Sequence, residues 1–193
     1  MADQLATPED LASLLQKDLD AATATLLVEI ATAVVQAEVR QRLVQVVDDT
    51  ATLLGSAESW LDLPQRPVTE VKSVTIDGEP VAEGSGSGDY RRFGSRLWRD
   101  GGWATRWTEP STVEVVYTHG YAPDAQELQL ARGAELSIIR DWYDNPSSVT
   151  SEKIDDYAAT YSALASRLEA STYLRAALRR QYGRAGGLVR IGG

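Results

Sequence analysis

The chain has 193 residues, 43% hydrophobic and 24% charged, with no cysteine and one histidine. These proportions suit a folded core, and the missing thiols exclude a disulfide framework, a thiolate metal site and a cysteine nucleophile. A formal net charge of −9 makes a poor general binder of nucleic acid, because phosphate contacts need lysine and arginine.

The charge is unevenly spread. From Ala158 onward six arginines face one acid, Glu169, a surplus of five that leaves −14 on the rest of the chain. A basic tail on an acidic body predicts a tail that reaches an acidic partner or neighbouring subunit. The opening Met1-Ala2-Asp3-Gln4 is acidic and polar and does not read as a secretory signal. No apolar run is read as approaching the roughly 20 residues of a membrane span, so no membrane is expected among the partners.

The first elements read as helices. Thr7-Pro8-Glu9-Asp10 combines an N-cap, a proline at the first helical position and acids in the first turn. Leu11, Leu14, Leu15 and Leu19 follow at helical spacing. Asp20 offers a second cap or a kink. Beyond it, Ala21 to Gln41 sets Leu26, Leu27, Ile30, Val34 and Val35 on one broad face, with small residues for close packing. That face reads as core, with a subunit interface as the alternative.

Near Arg42 the pattern turns β-branched. Leu43 to Val47 and Thr50 to Leu54 read as a hairpin about an Asp48-Asp49 turn. Trp60 to Val68 reads as a stiff extended segment pinned by Pro64 and Pro67, with Trp60 buried. Val71, Val74 and Ile76 lead into an Asp77-Gly78 turn. Gly84 to Gly88 reads as a mobile glycine-serine tip. Tyr90 to Arg99 and Trp103 to Trp107 read as strands about an Asp100-Gly101-Gly102 turn, with Trp98 and Trp103 as cross-strand neighbours. Thr112 to Tyr117 carries the clearest alternation.

A long helix is expected from Pro123-Asp124 through Trp142, a buried packing residue, to Asn145-Pro146. Ser147 to Ser162 reads as extended or loop. A last helix, Tyr173 to Tyr182, is capped by Ser171 or Thr172 and ended by Gly183. The fold class is α+β: N-terminal and central helices form a bundle, with inserted antiparallel β-hairpins or sheet and a C-terminal helix plus extended tail. The expected division is a core over 1–146, with helices at 7–41 and 123–144 and a β-rich insertion at 42–121, then a C-terminal segment over 147–193.

Catalytic signatures are sparse. His119 stands past a strand with no evident nucleophile and no Gly-x-Ser-x-Gly elbow, so a structural role is expected and an enzyme about His119 is a weaker rival. Asp48-Asp49 and Asp155-Asp156 lack the further oxygen ligands that a metal pair needs. Gly84 to Gly88 lacks the lysine and strand-to-helix setting of a phosphate loop. Catalytic residues, metals and cofactors are therefore all expected to be none.

Two stretches suggest recognition. The first, Tyr90 to Trp103, interleaves Arg91, Arg92, Arg96 and Arg99 with Trp98 and Trp103. Arginine beside aromatics can stack bases and hold phosphates; this gives the alternative of a nucleic-acid-binding module that also uses the basic C-terminus. The second is the terminal helix, with an apolar stripe through Leu178 and Tyr182 and arginines mainly off it. Leu188-Val189-Arg190-Ile191 is too apolar for an idle end and could add a strand to a neighbour.

Taken in order, several motifs carry a resemblance. They are the Thr-Pro-Glu-Asp-Leu opening helix, the alanine-rich second helix, and Trp60-Leu61-Asp62-Leu63-Pro64-Gln65-Arg66-Pro67-Val68-Thr69-Glu70-Val71. Val74-Thr75-Ile76-Asp77-Gly78, Val115-Val116-Tyr117-Thr118-His119-Gly120-Tyr121 and a helix ending at Asn145-Pro146 complete the set. Over nearly its whole length the chain resembles the head-to-tail adaptor (head–tail connector) proteins of long-tailed phages, in the form common among phages of actinobacteria.

That resemblance implies a non-enzymatic virion protein, assembled in the host bacterial cytoplasm as a ring of twelve subunits. Such a ring would sit between the portal protein and the stopper or tail. Double-stranded DNA would pass through its lumen without sequence-specific binding. Portal docking would fall to Arg175, Leu178, Arg179, Arg180, Tyr182, Arg184, Leu188, Val189, Arg190 and Ile191. The hairpin residues Arg91, Arg92, Arg96, Trp98, Arg99 and Trp103 would meet a neighbouring subunit or the lumen.

Overall fold

In the computed structural model the described residues are 4–16, 20–105, 109–144 and 157–183. They form two compact units, one from residues 1–44 with 123–183 and one from 45–122. The first is helical and the second is all β, so the chain is α+β with an antiparallel β unit inserted between its second and third helices.

The helical unit starts with α1 (Pro8–Leu15). Thr7 caps it through a reciprocal box: its hydroxyl accepts from the Asp10 amide at 3.1 Å, and the Asp10 carboxylate accepts from the Thr7 amide at 3.0 Å. Asp20 likewise caps α2 (Ala21–Val39) by accepting from the Thr23 amide. α2 is the central helix and packs against all the others: α1, α3 (Gln129–Asp144), α4 (Tyr157–Ala170) and α5 (Thr172–Tyr182). Leu27, Val28, Ile30, Ala31 and Val35 on it are fully buried, which demands apolar residues on several sides rather than one stripe. With 19 residues, α2 is long and apolar enough by composition to cross a membrane, contrary to the expectation that no stretch approaches that length. Half of the same stretch is buried by protein, the pattern of a core helix.

A single 3₁₀ turn, Gln126–Leu128, leads into α3. Ile138, Ile139 and Trp142 on α3 face the core. α4 corrects the reading of Ser147 to Ser162 as extended or loop. Tyr157 onward is helix because Thr160, Leu164 and Leu168, four residues apart, all enter the core. Its serines, threonine and tyrosines mask that pattern by weak propensity. Residues 147–156 lie outside the described residues. α4 and α5 pack on α2 and also contact α3, so their described part belongs to the bundle and is not a separate C-terminal segment.

The β unit holds two antiparallel sheets. The larger has the order β1-β7-β3-β4, from β1 (Val46–Leu54), β3 (Val68–Ile76), β4 (Glu79–Val81) and β7 (Thr112–His119). The smaller has the order β2-β6-β5, from β2 (Trp60–Asp62), β5 (Tyr90–Phe93) and β6 (Arg96–Arg99). Their inner faces share one core that includes Leu61, Leu63, Val74, Ile76, Tyr90, Leu97, Trp103, Val113, Val115 and Tyr117. Asp77 and Gly78 both take positive φ, +52° and +87°, as a tight β3–β4 turn requires.

Four expectations change here. Asp48-Asp49 is no hairpin turn. β1 continues through it, with Asp48 at φ +55° in a bulge between the Val46–His119 and Asp49–Tyr117 pairs. Tyr90 to Arg99 is two strands about Gly94-Ser95, not one. Pro64 to Pro67 bends rather than extends. The glycine-serine loop closes on Asp89, whose carboxylate accepts from the Gly86 amide at 2.8 Å.

Trp103 is also not a strand neighbour of Trp98, whose partners are Trp60 and Arg91. Trp103 leaves the sheet, is 0% exposed, and donates from its ring nitrogen to the Ser59 carbonyl at 3.1 Å. Gly102 precedes it at φ +79°, where an added Cβ would lie 2.6 Å from the Ala57 oxygen, so only glycine fits the approach.

Candidate docking surfaces

The C-terminal helix uses most of its expected docking residues inside its own unit. Leu178 is 0% exposed and Tyr182 is buried, and the Tyr182 hydroxyl donates to the Glu127 carbonyl. The Nε atoms of Arg175 and Arg179 reach one oxygen of Glu38 on α2, at 3.0 and 2.6 Å. A carboxylate shared by two guanidiniums is a fixed ion cluster, so these arginines brace α5 against α2. Only Arg180, with Tyr173 on the same helix, is left exposed without a described partner. Arg184, Leu188, Val189, Arg190 and Ile191 lie outside the described residues.

The hairpin residues divide by strand alternation. Leu61 and Leu97 point to the core, so their register partners on the inner side include Arg92, while Tyr90 and Arg99 lie on the same side. Arg92 donates to the Val68 carbonyl at 3.0 Å, and Arg99 to the carbonyls of Gly88 and Gly102 at 2.8 and 2.6 Å. Arg99 and the buried Trp103 hold the unit together from within, and Arg92 braces it while remaining exposed.

The other face of the same sheet is different. Trp60, Trp98 and Arg91 stand in one row across it, and Asp62, Arg96 and Phe93 in the next. The Arg91 guanidinium lies over the Trp98 ring at 5.0 Å and that of Arg96 over Trp60 at 4.7 Å. Phe93 meets Trp60 edge-on at 5.5 Å. Trp60 is 40% exposed and Phe93 52%, so Trp60 is not the buried residue expected of it. Arg96 also pairs with Asp62 at 2.8 Å, whereas Arg91 has no carboxylate partner among the described residues. Trp60 and Phe93 are missing from the recognition residues expected from sequence. The alternation of Leu61 and Leu63 is the signal that sends Trp60 and Asp62 outward.

Two buried polar clusters have structural geometry. His119 is 0% exposed, its Nε2 is 2.9 Å from the Asp49 carboxylate, and its ring lies against Tyr117. It ties β7 to the bulged start of β1. Glu135 on α3 is 0% exposed and accepts from the Thr32 hydroxyl of α2 at 2.6 Å. The same hydroxyl accepts from the Leu5 amide at 3.2 Å, and Arg132 donates to the Leu5 carbonyl at 2.7 Å. Burial pushes the Glu135 carboxyl up to about 7, against the opposing pull of Thr32, the Ala6 amide and Arg132. Among the described residues no group of three or more histidines and carboxylates is placed to hold a metal ion.

No family model matches the chain, and no curated protein matches it. A solved structure shares its fold. A chain from the neck of an empty gene transfer agent (GTA) particle, computed with C6 symmetry, aligns at a TM-score of 0.50 and 20% identity. The match covers 72% of this chain and 78% of that one. A chain from the neck of a native GTA particle, computed with C12 symmetry, aligns at a TM-score of 0.49 and 19% identity, over 85% and 94% of the two chains.

Proposed function

We propose that the chain is a structural protein of a virion neck, a head-to-tail adaptor that forms a ring between the portal and the stopper or tail. The observation that carries this reading is the fold shared with a neck chain of the GTA particle over 72% of the present chain. The motif resemblance to phage head-to-tail adaptors points the same way. That neck was computed with C6 symmetry, and subunits repeated about an axis favour a ring of this chain. Twelve copies is the number the adaptor resemblance implies.

The charge pattern is compatible with a channel. A net charge of −9 repels phosphate and would keep DNA passing rather than sticking. The nucleic-acid-binding alternative is weakened by the same net charge, and on the hairpin Arg91 and Arg96 already occupy one face each of the Trp98 and Trp60 rings. No catalytic role is proposed: His119 is wholly buried and engaged by Asp49. Since α5 spends Leu178, Tyr182, Arg175 and Arg179 on the bundle, portal docking falls to Arg180 and the residues beyond 183.

The test is electron microscopy of the chain mixed with the portal ring from its own genome. A collar of density at the tail-facing end, lost when 184–193 are removed, is the expected result. A folded chain that leaves an intact portal bare would overturn the adaptor reading.

A further inference from the structure

Each sheet of the β unit has an outward face turned away from the shared core, and the two faces differ in charge. On the smaller sheet are Arg91, Arg96, Trp60, Trp98 and Phe93, with Asp62 the one acid in those two rows. On the larger sheet the residues that alternate with Val113, Val115 and Tyr117 point outward. Glu114 stands there between Thr52 and Thr75, Glu70 is opposite Thr118, and Leu54 is opposite Thr112. Leu54 is 75% exposed, and both glutamates are exposed. Neither glutamate has a cationic partner among the described residues.

We propose that the Arg/aromatic face of β2-β6-β5 in one copy docks on the Glu114 and Glu70 face of β1-β7-β3-β4 in a second copy. Three features select that occupant. The Arg91 guanidinium, stacked on Trp98, keeps its N–H edge free for a carboxylate, while Arg96 has its Nε on Asp62 and offers its remaining N–H groups. The exposed Trp60 and Phe93 supply apolar area, and Leu54 on the opposite face gives it a counterpart. The two faces are different surfaces of one unit, so the contact is heterologous. Repeated, it must generate a ring or a filament rather than a closed pair. The inference rests on the ring reading above and names the surfaces that would close the ring.

The test uses full-length chains, free and on the portal, followed by analytical ultracentrifugation and electron microscopy. The wild-type chain should self-associate at low salt and less so at high salt. R91E/R96E should weaken association at least about tenfold, and E70R/E114R by a similar factor, because like charges then face each other. The quadruple variant carrying both reversals should recover assembly, an outcome that general destabilisation would not give. Because Arg96 also meets Asp62, R91E alone and E114R alone serve as milder variants at exposed positions. Unchanged assembly in both double variants overturns this inference and leaves the ring reading intact. Failure of the wild-type chain to assemble, free or on the portal, overturns both. Loss of oligonucleotide binding in R91E/R96E with assembly unchanged would assign the face to nucleic acid instead.

Discussion

Two segments of this chain look alike in composition and behave differently in the fold. α5 and the β5–β6 hairpin are both short, arginine-rich and studded with large apolar side chains. In α5 the apolar residues Leu178 and Tyr182 are buried and two of its arginines close on Glu38. In the hairpin the alternation sends Arg92 and Arg99 to internal carbonyls but leaves Arg91, Arg96 and Phe93 outside. Composition therefore does not distinguish a brace from an exposed face. The difference lies in what stands opposite each side chain.

Substitutions can break or sharpen that contrast. The largest effect is expected inside the β unit: Trp103→Ala should cost about 3–5 kcal/mol, because a fully buried ring leaves a cavity. Trp60→Ala, on the exposed face, should cost much less. Equal losses in denaturant melts of the two would erase the distinction between inner and outer aromatics. Next, Leu178→Ala should cost about 2–5 kcal/mol if α5 is part of the bundle; an unchanged midpoint would make α5 an appendage.

The third effect depends on pH. Glu135 has its carboxyl raised to about 7 in the fold, above its ordinary value of 4.5. Its neutral form is favoured by folding, so this contribution is complete below pH 4.5 and is lost as pH rises through about 7. Stability of the wild-type chain should fall between pH 5 and 8, by on the order of 2 kcal/mol in all. In Glu135→Gln that slope should flatten, and equal slopes in the two proteins would remove Glu135 as its source. The smallest effect belongs to Arg91→Ala, which should change stability by less than about 0.5 kcal/mol. A larger loss would mean that Arg91 serves the fold after all.

How much of the molecule is legible in its sequence depends on the distance over which each element is determined. The Thr7 cap, the Asp20 cap and the Asp77-Gly78 turn are set by neighbours within four residues; the first and last are plain in the sequence, and Asp20 is legible as a cap or a kink. The bulge at Asp48 is not, because it exists only relative to β7, about 70 residues away. α4 reads as extended because its serines, tyrosines and single threonine carry weak local preference; its helix is set by Thr160, Leu164 and Leu168 entering a core shared with α2 and α3. The recognition residues are half legible. The arginines stand out by composition, but their sorting into inner and outer sets needs the β2-β6-β5 register, as does the exposure of Trp60. Glu38, the acid that holds α5, lies 137 residues from Arg175 and carries no local mark.

The bulge has a further consequence for a chain in a crowded solution. β1 is a nine-residue strand at one margin of its sheet, the sort of free backbone ladder that invites runaway cross-linking into insoluble β-aggregates. The kink at Asp48, its ion pair with Lys72 and the half-exposed Asp49 interrupt that ladder near its start. At the opposite margin β4 is three residues long with Pro80 at its centre, which lacks the amide a new strand would need. Both margins thus disfavour the pairing of one chain with another through their backbones.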